Sequence, residues 1–216
     1  SAFFLVYPLS FKYTKFMVKN IIFDIGNVLA TFKPKDFLMD LFKNPTLVDQ
    51  FFKVFFTKLW HEYDQGLYTK EQMVQKGLQK MPDQKEKINK MMDVWTSYVV
   101  GIQENLDLIQ IYQKKGYKVF ILSNLPEDSY IYLKEHYDFI NQVDGGIYSY
   151  QLKLIKPDVK IFEALLEKYG LNANECIFID DTEVNIRAAE TLGFYTIWLK
   201  DHTQLATLLK ENLNEV

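Results

Sequence analysis

The chain has 216 residues, 48% of them hydrophobic, with 25 Lys and Arg against 28 Asp and Glu and a formal charge of -3. That length buries a full core and leaves room for a second small domain; the interleaved charges form no phosphate-binding stripe and exert no long-range pull on nucleic acid. A single cysteine, Cys176, excludes an internal disulfide and, within an apolar run, reads as a small core residue.

Residues 1–16 carry Phe3-Phe4-Leu5-Val6-Tyr7-Pro8 without the preceding basic residues or the cleavage site of a secretory signal. They read as an N-terminal extension, with Met17 opening the domain and a cytoplasmic location expected. No stretch approaches the roughly 18 consecutive apolar residues of a membrane span, so no membrane partner is expected.

The first strand is expected over residues 20–24, ending in Asp24 at a tight turn, and the next over 118–123. That gap is too long for one crossover helix. Residues 34–100 show helical spacing instead, with Phe37, Leu38, Leu41 and Phe42, then Phe51, Phe52, Phe55, Phe56 and Leu59, then Met91, Met92, Trp95 and Tyr98. They are expected to form a small helical domain, inserted into a core made of residues 17–33 and 101–216. Aromatic stripes at this spacing read as packing faces. Trp60 and His61 precede the turn Glu62-Tyr63-Asp64-Gln65-Gly66, which is placed to hang over a site.

Leu106, Ile109 and Tyr112 mark a helix closed by Lys114-Lys115-Gly116. The strand at 118–123 delivers Ser123 and Asn124, and a further helix is expected from near Pro157 to Gly170. A strand at 176–180 ends in Asp180-Asp181, a helix runs from about Thr182 to Leu192 before Gly193, and a last strand covers 195–199. Short apolar strands alternating with helices predict an α/β fold with a doubly wound parallel sheet. In such a sheet the carboxyl ends of the strands face one crevice, where Asp24, Ser123 and Asp180-Asp181 meet and Lys156 arrives from an adjoining loop.

An aspartate attacks phosphorus only if its repulsion from the phosphate is offset, so a metal and a cation belong beside it. Three carboxylates against Lys156 and one Mg²⁺ leave a site of about neutral charge. Oxygen ligands suit Mg²⁺, and no His or Cys cluster offers a zinc site. The bland readings make Asp180-Asp181 a helix cap, Ser123 a turn residue and Lys156 a surface lysine.

The set FDIGNVL (23–29), VFILSN (119–124), KP (156–157) and FIDDTEVNIRAAETLGF (178–194) resembles the four motifs of the haloacid dehalogenase-like hydrolase superfamily. Its form is closest to the bacterial α-glucose-1-phosphate phosphatases and the phosphatase domain of soluble epoxide hydrolases. The resemblance implies a Mg²⁺-dependent phosphatase of a small phosphorylated metabolite, glucose 1-phosphate being one, working through an aspartyl-phosphate. It makes Asp24 the nucleophile, Lys156 the clamp, and Ser123 and Asn124 phosphate binders, with Gly26 and Asn27 beside them. It places Mg²⁺ on Asp24, the Gly26 carbonyl and Asp181, supported by Asp180 and Asn185, and makes residues 34–100 a substrate-selecting cap.

Gly26 departs from the pattern, because most phosphatases of this superfamily carry a proton-transferring aspartate there. Loss of such a group typically lowers rate by about 10²- to 10⁴-fold. Leaving groups that depart readily, such as sugar 1-phosphates, are then favoured, or His61, Glu62 or Asp64 substitutes. The alternative is an idle phosphate-binding module. Residues 34–100 contain no arginine, which tells against a dehalogenase. His136 and His202 read as structural, and Phe51-Phe52 or Phe55-Phe56 offers an exposed pair for contact in a monomer or homodimer.

Overall fold

A computed structural model describes residues 18–213. The extension at 1–16 and the start at Met17 lie outside the described residues.

The chain runs β1 (Asn20–Phe23), β2 (Ala30–Thr31), α1 (Pro34–Phe42), α2 (Pro45–Phe55), α3 (Lys58–Asp64), α4 (Lys70–Lys80) and α5 (Lys85–Val94). Then come β3 (Val100–Gly101), α6 (Gln103–Lys114), β4 (Lys118–Ser123), α7 (Glu127–His136), α8 (Phe139–Gln142) and β5 (Gly145–Tyr148). The remainder is α9 (Ser149–Leu152), α10 (Val159–Tyr169), β6 (Cys176–Asp180), α11 (Glu183–Thr191), β7 (Tyr195–Trp198) and α12 (Leu205–Asn212). The fold is α/β, with a five-stranded sheet of order β5-β4-β1-β6-β7 and parallel pairing throughout.

Apolar runs in β1, β4 and β6 serve both faces of the sheet. Ile21, Phe23, Val119, Ile121, Ile177 and Ile179 join the larger core with α6 and α12, whereas Ile22, Phe120, Leu122 and Phe178 pack against Ile161, Phe162 and Leu165 of α10. A strand buried on both sides needs no polar alternation, which is why these runs read continuously. Cys176 is fully buried in β6, and burial pushes its thiol up to about 11.

Strand β5 carries no apolar run in its Gly145-Gly146 half and was not anticipated. A Cβ on Gly145 would lie 2.4 Å from the Tyr169 ring, and the Gly146 N–H donates to the Tyr169 hydroxyl at 2.8 Å. The glycines therefore mark a close helix approach within a strand. Helix α10 starts at Val159, two residues after Pro157, because Asp158 takes the N-cap and accepts from the Lys160 N–H at 3.0 Å.

Helices α1 to α5 lie between β2 and β3, which pair antiparallel as Ala30 with Gly101 and Thr31 with Val100. Asn44 caps α2 and a Thr69-Gln72 capping box starts α4. Phe37, Leu38, Phe51, Phe55, Leu59, Met91, Met92 and Trp95 are buried. Phe52 and Phe56 are half-buried and stacked at 5.9 Å, so no exposed phenylalanine pair is present there. Among the described residues, no helix is long and apolar enough to cross a membrane.

Buried Asn105 at the start of α6 fastens the loops that follow β1 and β7, donating to the Val28 carbonyl at 2.7 Å and the His202 carbonyl at 3.1 Å. Asn105→Ala strands one buried and one partly buried acceptor and should cost about 2 kcal/mol, lowering the thermal midpoint by about 5 °C. Differential scanning calorimetry checks this, and an unchanged midpoint contradicts it.

Candidate active site

Strand β1 is flanked by β4 and β6, so the ends of all three strands stand side by side. Immediately after β1, Asp24 donates its N–H to the Ile179 carbonyl at 2.9 Å, and the chain turns sharply as the Val28, Leu29 and Ala30 N–H groups converge on the Ile25 carbonyl. Asn27 adopts the left-handed backbone region at φ 53°, which an Asn tolerates better than most residues.

Three donors meet at Asp24 Oδ1: the Ile25 N–H at 2.7 Å, the Ser123 hydroxyl at 2.7 Å and Lys156 Nζ at 2.9 Å. Lys156 is 2% exposed, so it is no surface lysine. Its ammonium also donates to Asp180 Oδ2 at 2.7 Å and to the Leu122 carbonyl at 2.9 Å, which uses its three protons. Asn124 holds the lysine's backbone on both sides, donating to the Lys156 carbonyl at 3.0 Å and accepting from the Lys156 N–H at 2.9 Å. The Asn124 side chain thus fixes the lysine turn.

Asp180 is fully buried, and besides Lys156 it accepts from Asn185 Nδ2 at 3.0 and 3.1 Å and from the Thr182 N–H at 2.8 Å. Asp181 accepts from Asn27 Nδ2 at 2.9 Å and from the Thr182 hydroxyl at 3.2 Å. Carboxylate oxygens of Asp24, Asp180 and Asp181 lie within 4.8 Å of one another. Three carboxylates and one ammonium sum to about -2, which a divalent cation balances. The oxygen donors fit a hard ion. Because Asp180 is saturated, Asp24 and Asp181 are the carboxylates with capacity for it.

Burial raises the Asp24 carboxyl to about 6, and the Asp180 charge adds to the rise while Lys156 opposes it. For Lys156 burial works against the charge, but Asp24 and Asp180 overcome it and lift its pKa above the ordinary lysine value. The pair is therefore held as an ammonium facing carboxylates.

A cavity of about 200 Å³ opens beside these groups, with Gly26, Asn27, Ser123 and Asn124 on its floor and Phe32, Trp60, Asp64 and Trp95 on its other walls. Trp60 stacks on Phe56 at 4.3 Å and meets Trp95 edge-on at 4.9 Å. The helical segment is tied down by Asp128 of α7, which accepts from the Tyr63 hydroxyl at 2.6 Å and the Trp95 indole at 2.9 Å. Of the three side chains considered for proton transfer, Asp64 reaches this cavity. His61 is exposed, and Glu62 turns to Lys58 at 3.6 Å.

Asp24, Gly26, Asn27, Ser123, Asn124, Lys156, Asp180, Asp181 and Asn185 are thus gathered at one end of the sheet. Phe32 and Asp128 join the site without a local signal beyond a helix start, and Trp95, expected only as part of a packing face, lines the cavity as well. His202, expected to be structural, shares a hollow of about 240 Å³ with Asn27 and Asp181. The loop after β7 returns over the same sheet end, a proximity invisible in spacing. His136 is exposed in the last turn of α7, and its ring Nδ1 donates to the Tyr132 carbonyl at 2.8 Å.

A family model described as a haloacid dehalogenase-like hydrolase matches residues 18–193. The chain belongs to that family. Among its relatives, the sesquiterpene phosphatase astK of Aspergillus oryzae is 25% identical over 195 residues, covering 89% of this chain and 94% of that protein. The D-ribitol-5-phosphate phosphatase of Bacteroides thetaiotaomicron is 26% identical over 194 residues, covering 83% and 91%. A HAD-family enzyme of the same bacterium, solved with magnesium and inorganic phosphate, superposes with a TM-score of 0.65 at 26% identity, covering 83% of this chain and 93% of that one.

A proton on Asp24 competes with a cation there, so Mg²⁺ affinity should be steady above pH 6 and fall about tenfold per pH unit well below it. Isothermal titration of the purified protein with Mg²⁺ at pH 5 and pH 7.5 measures this, and equal affinities contradict it.

Proposed function

We propose that this hydrolase is a Mg²⁺-dependent phosphatase that cleaves small phosphomonoesters, sugar phosphates foremost, through an aspartyl-phosphate on Asp24. The observation that carries the reading is the orientation of Asp24, whose Oδ1 is held by three donors while Oδ2 lies on the side of Gly26, 3.8 Å from where a Cβ on that glycine would stand. A carboxylate so fixed is a nucleophile whose alignment is set before substrate arrives.

Asp24, Asp181 and the Gly26 carbonyl are the groups that would hold Mg²⁺, with Asp180 and Asn185 behind them. Bound there, the ion would neutralise charge on the phosphoryl oxygens. Lys156 keeps the Asp24 carboxylate ionised and oriented, and Ser123 turns its hydroxyl from Asp24 to a phosphoryl oxygen. Asp24 bonds phosphorus as the ester P–O bond breaks, and water then attacks the same phosphorus, freeing phosphate and regenerating the carboxylate.

The relatives named above are called phosphatases of D-ribitol 5-phosphate and of a sesquiterpene, which agrees with a monoester substrate of modest size. A cavity of about 200 Å³ is smaller than typical drug-sized pockets and suits a sugar or polyol. Trp60 and Trp95 would pack the apolar face of that group, while the helices between β2 and β3 act as a cap that selects it.

Asp24→Asn should retain the circular dichroism spectrum and lose turnover by about 10⁴-fold or more. Phosphate release from sugar phosphates, acyl phosphates and p-nitrophenyl phosphate with Mg²⁺ tests this. Undiminished turnover in the variant overturns the nucleophile, and a wild-type protein silent on every substrate is a binding module.

A further inference from the structure

When the ester bond breaks, the departing oxygen leaves as an alkoxide unless a proton reaches it, and the water of the second step must lose one. Most groups around Asp24 are engaged elsewhere. Lys156 directs its protons to Asp24, Asp180 and the Leu122 carbonyl, Asp180 accepts from Asn185, Thr182 and Lys156, and Asp181 is held by Asn27. Position 26 supplies nothing. A Cβ there would have only Asp24 Oδ2 nearby, at 3.8 Å, and its backbone is not left-handed, so there is space for a side chain that the sequence leaves as glycine.

Resting on the phosphatase reading above, we propose that Asp64, carried in by the helical segment, is the proton donor to the leaving group and the acceptor from water. Asp64 lines the cavity together with Gly26, Ser123 and Asn124, and its backbone is held from behind by α9. The Ser149 hydroxyl donates to the Asp64 carbonyl, and Gln65 Nε2 donates to the Lys153 carbonyl at 2.9 Å. Gly66, at φ 76°, approaches Tyr150 so closely that a Cβ would sit 2.6 Å from the Tyr150 carbonyl oxygen. Three consecutive residues thus rest on α9 and the residue after it, and hold the end of α3 over the site.

The surroundings favour the protonated form of this carboxyl. It is the last residue of α3, where the helix dipole disfavours an anion. Burial raises its pKa well above the ordinary aspartate value, and Asp128 and Asp24 add to the rise. The cations nearby serve those neighbours: Lys156 pairs with Asp24, and Lys70 acts on Asp128, whose carboxylate also takes the Tyr63 hydroxyl and the Trp95 indole. The Asp64 proton passes to the bridging oxygen as the P–O bond breaks, giving a free alcohol. The resulting carboxylate takes a proton from the water that attacks the aspartyl-phosphate, which restores both aspartates.

The test compares kcat/KM of wild type and Asp64→Asn on p-nitrophenyl phosphate, whose leaving group needs no proton, and on glycerol 2-phosphate, whose leaving group does. The variant should fall by less than about tenfold on the aryl ester and by about 10²- to 10⁴-fold on the alkyl ester. Retained aryl cleavage shows that the variant is folded, and Gly26→Asp added to it should recover alkyl cleavage. Equal losses on the two esters, or no loss on the alkyl ester, overturn the assignment of Asp64. A wild-type protein inert toward both esters would instead sink the phosphatase reading itself.

Discussion

The site depends on one buried ammonium. Lys156 sits at 2% exposure between Asp24 and Asp180, and removing such a charge from water costs several kcal/mol unless every proton finds an acceptor. Here all three do, and the backbone carrying the lysine is clasped by Asn124. The arrangement is possible only because β4, β1 and β6 are neighbours, so that Leu122, Asp24 and Asp180 stand around one point. Fixing the ammonium fixes Asp24 Oδ1, and the other oxygen is left on the side of Gly26.

The same geometry sets the electrostatics. Lys156 offsets one of three carboxylates, and the remaining charge of about -2 makes the crevice a place for a divalent ion. Asp180 is bonded to Lys156, Asn185 and the Thr182 N–H, and so holds the lysine in place. The helices between β2 and β3 close the other side through Asp128, which joins Tyr63 and Trp95 to α7. On the proposed reaction, the core supplies nucleophile and charge, and the insert supplies shape and the proton.

Much of this was legible in the sequence because a parallel strand buried on both faces leaves a continuous apolar run, and a polar residue ending such a run stands out. Asp24, Ser123 and Asp180-Asp181 announced themselves in that way, as did the glycines behind α6, α10 and α11. Strand β5 did not, since Gly145 and Gly146 are there for the Tyr169 ring and look like a turn. Side-chain partners were equally hidden. Nothing in spacing shows that the Asn124 side chain clasps the Lys156 backbone, or that His202, far along the chain, reaches the hollow beside Asp181. His61, Glu62 and Asp64 were interchangeable on paper. Only the rotation of α3 separates the one that faces inward.

The proposal that Asp24 accepts the phosphoryl group is tested most directly by catching it there. Protein mixed with Mg²⁺ and p-nitrophenyl phosphate, quenched in acid during turnover and digested, should yield the peptide containing Asp24 with one added phosphoryl group by mass spectrometry. Turnover that proceeds with that peptide unmodified and the phosphoryl group on another residue would contradict the account.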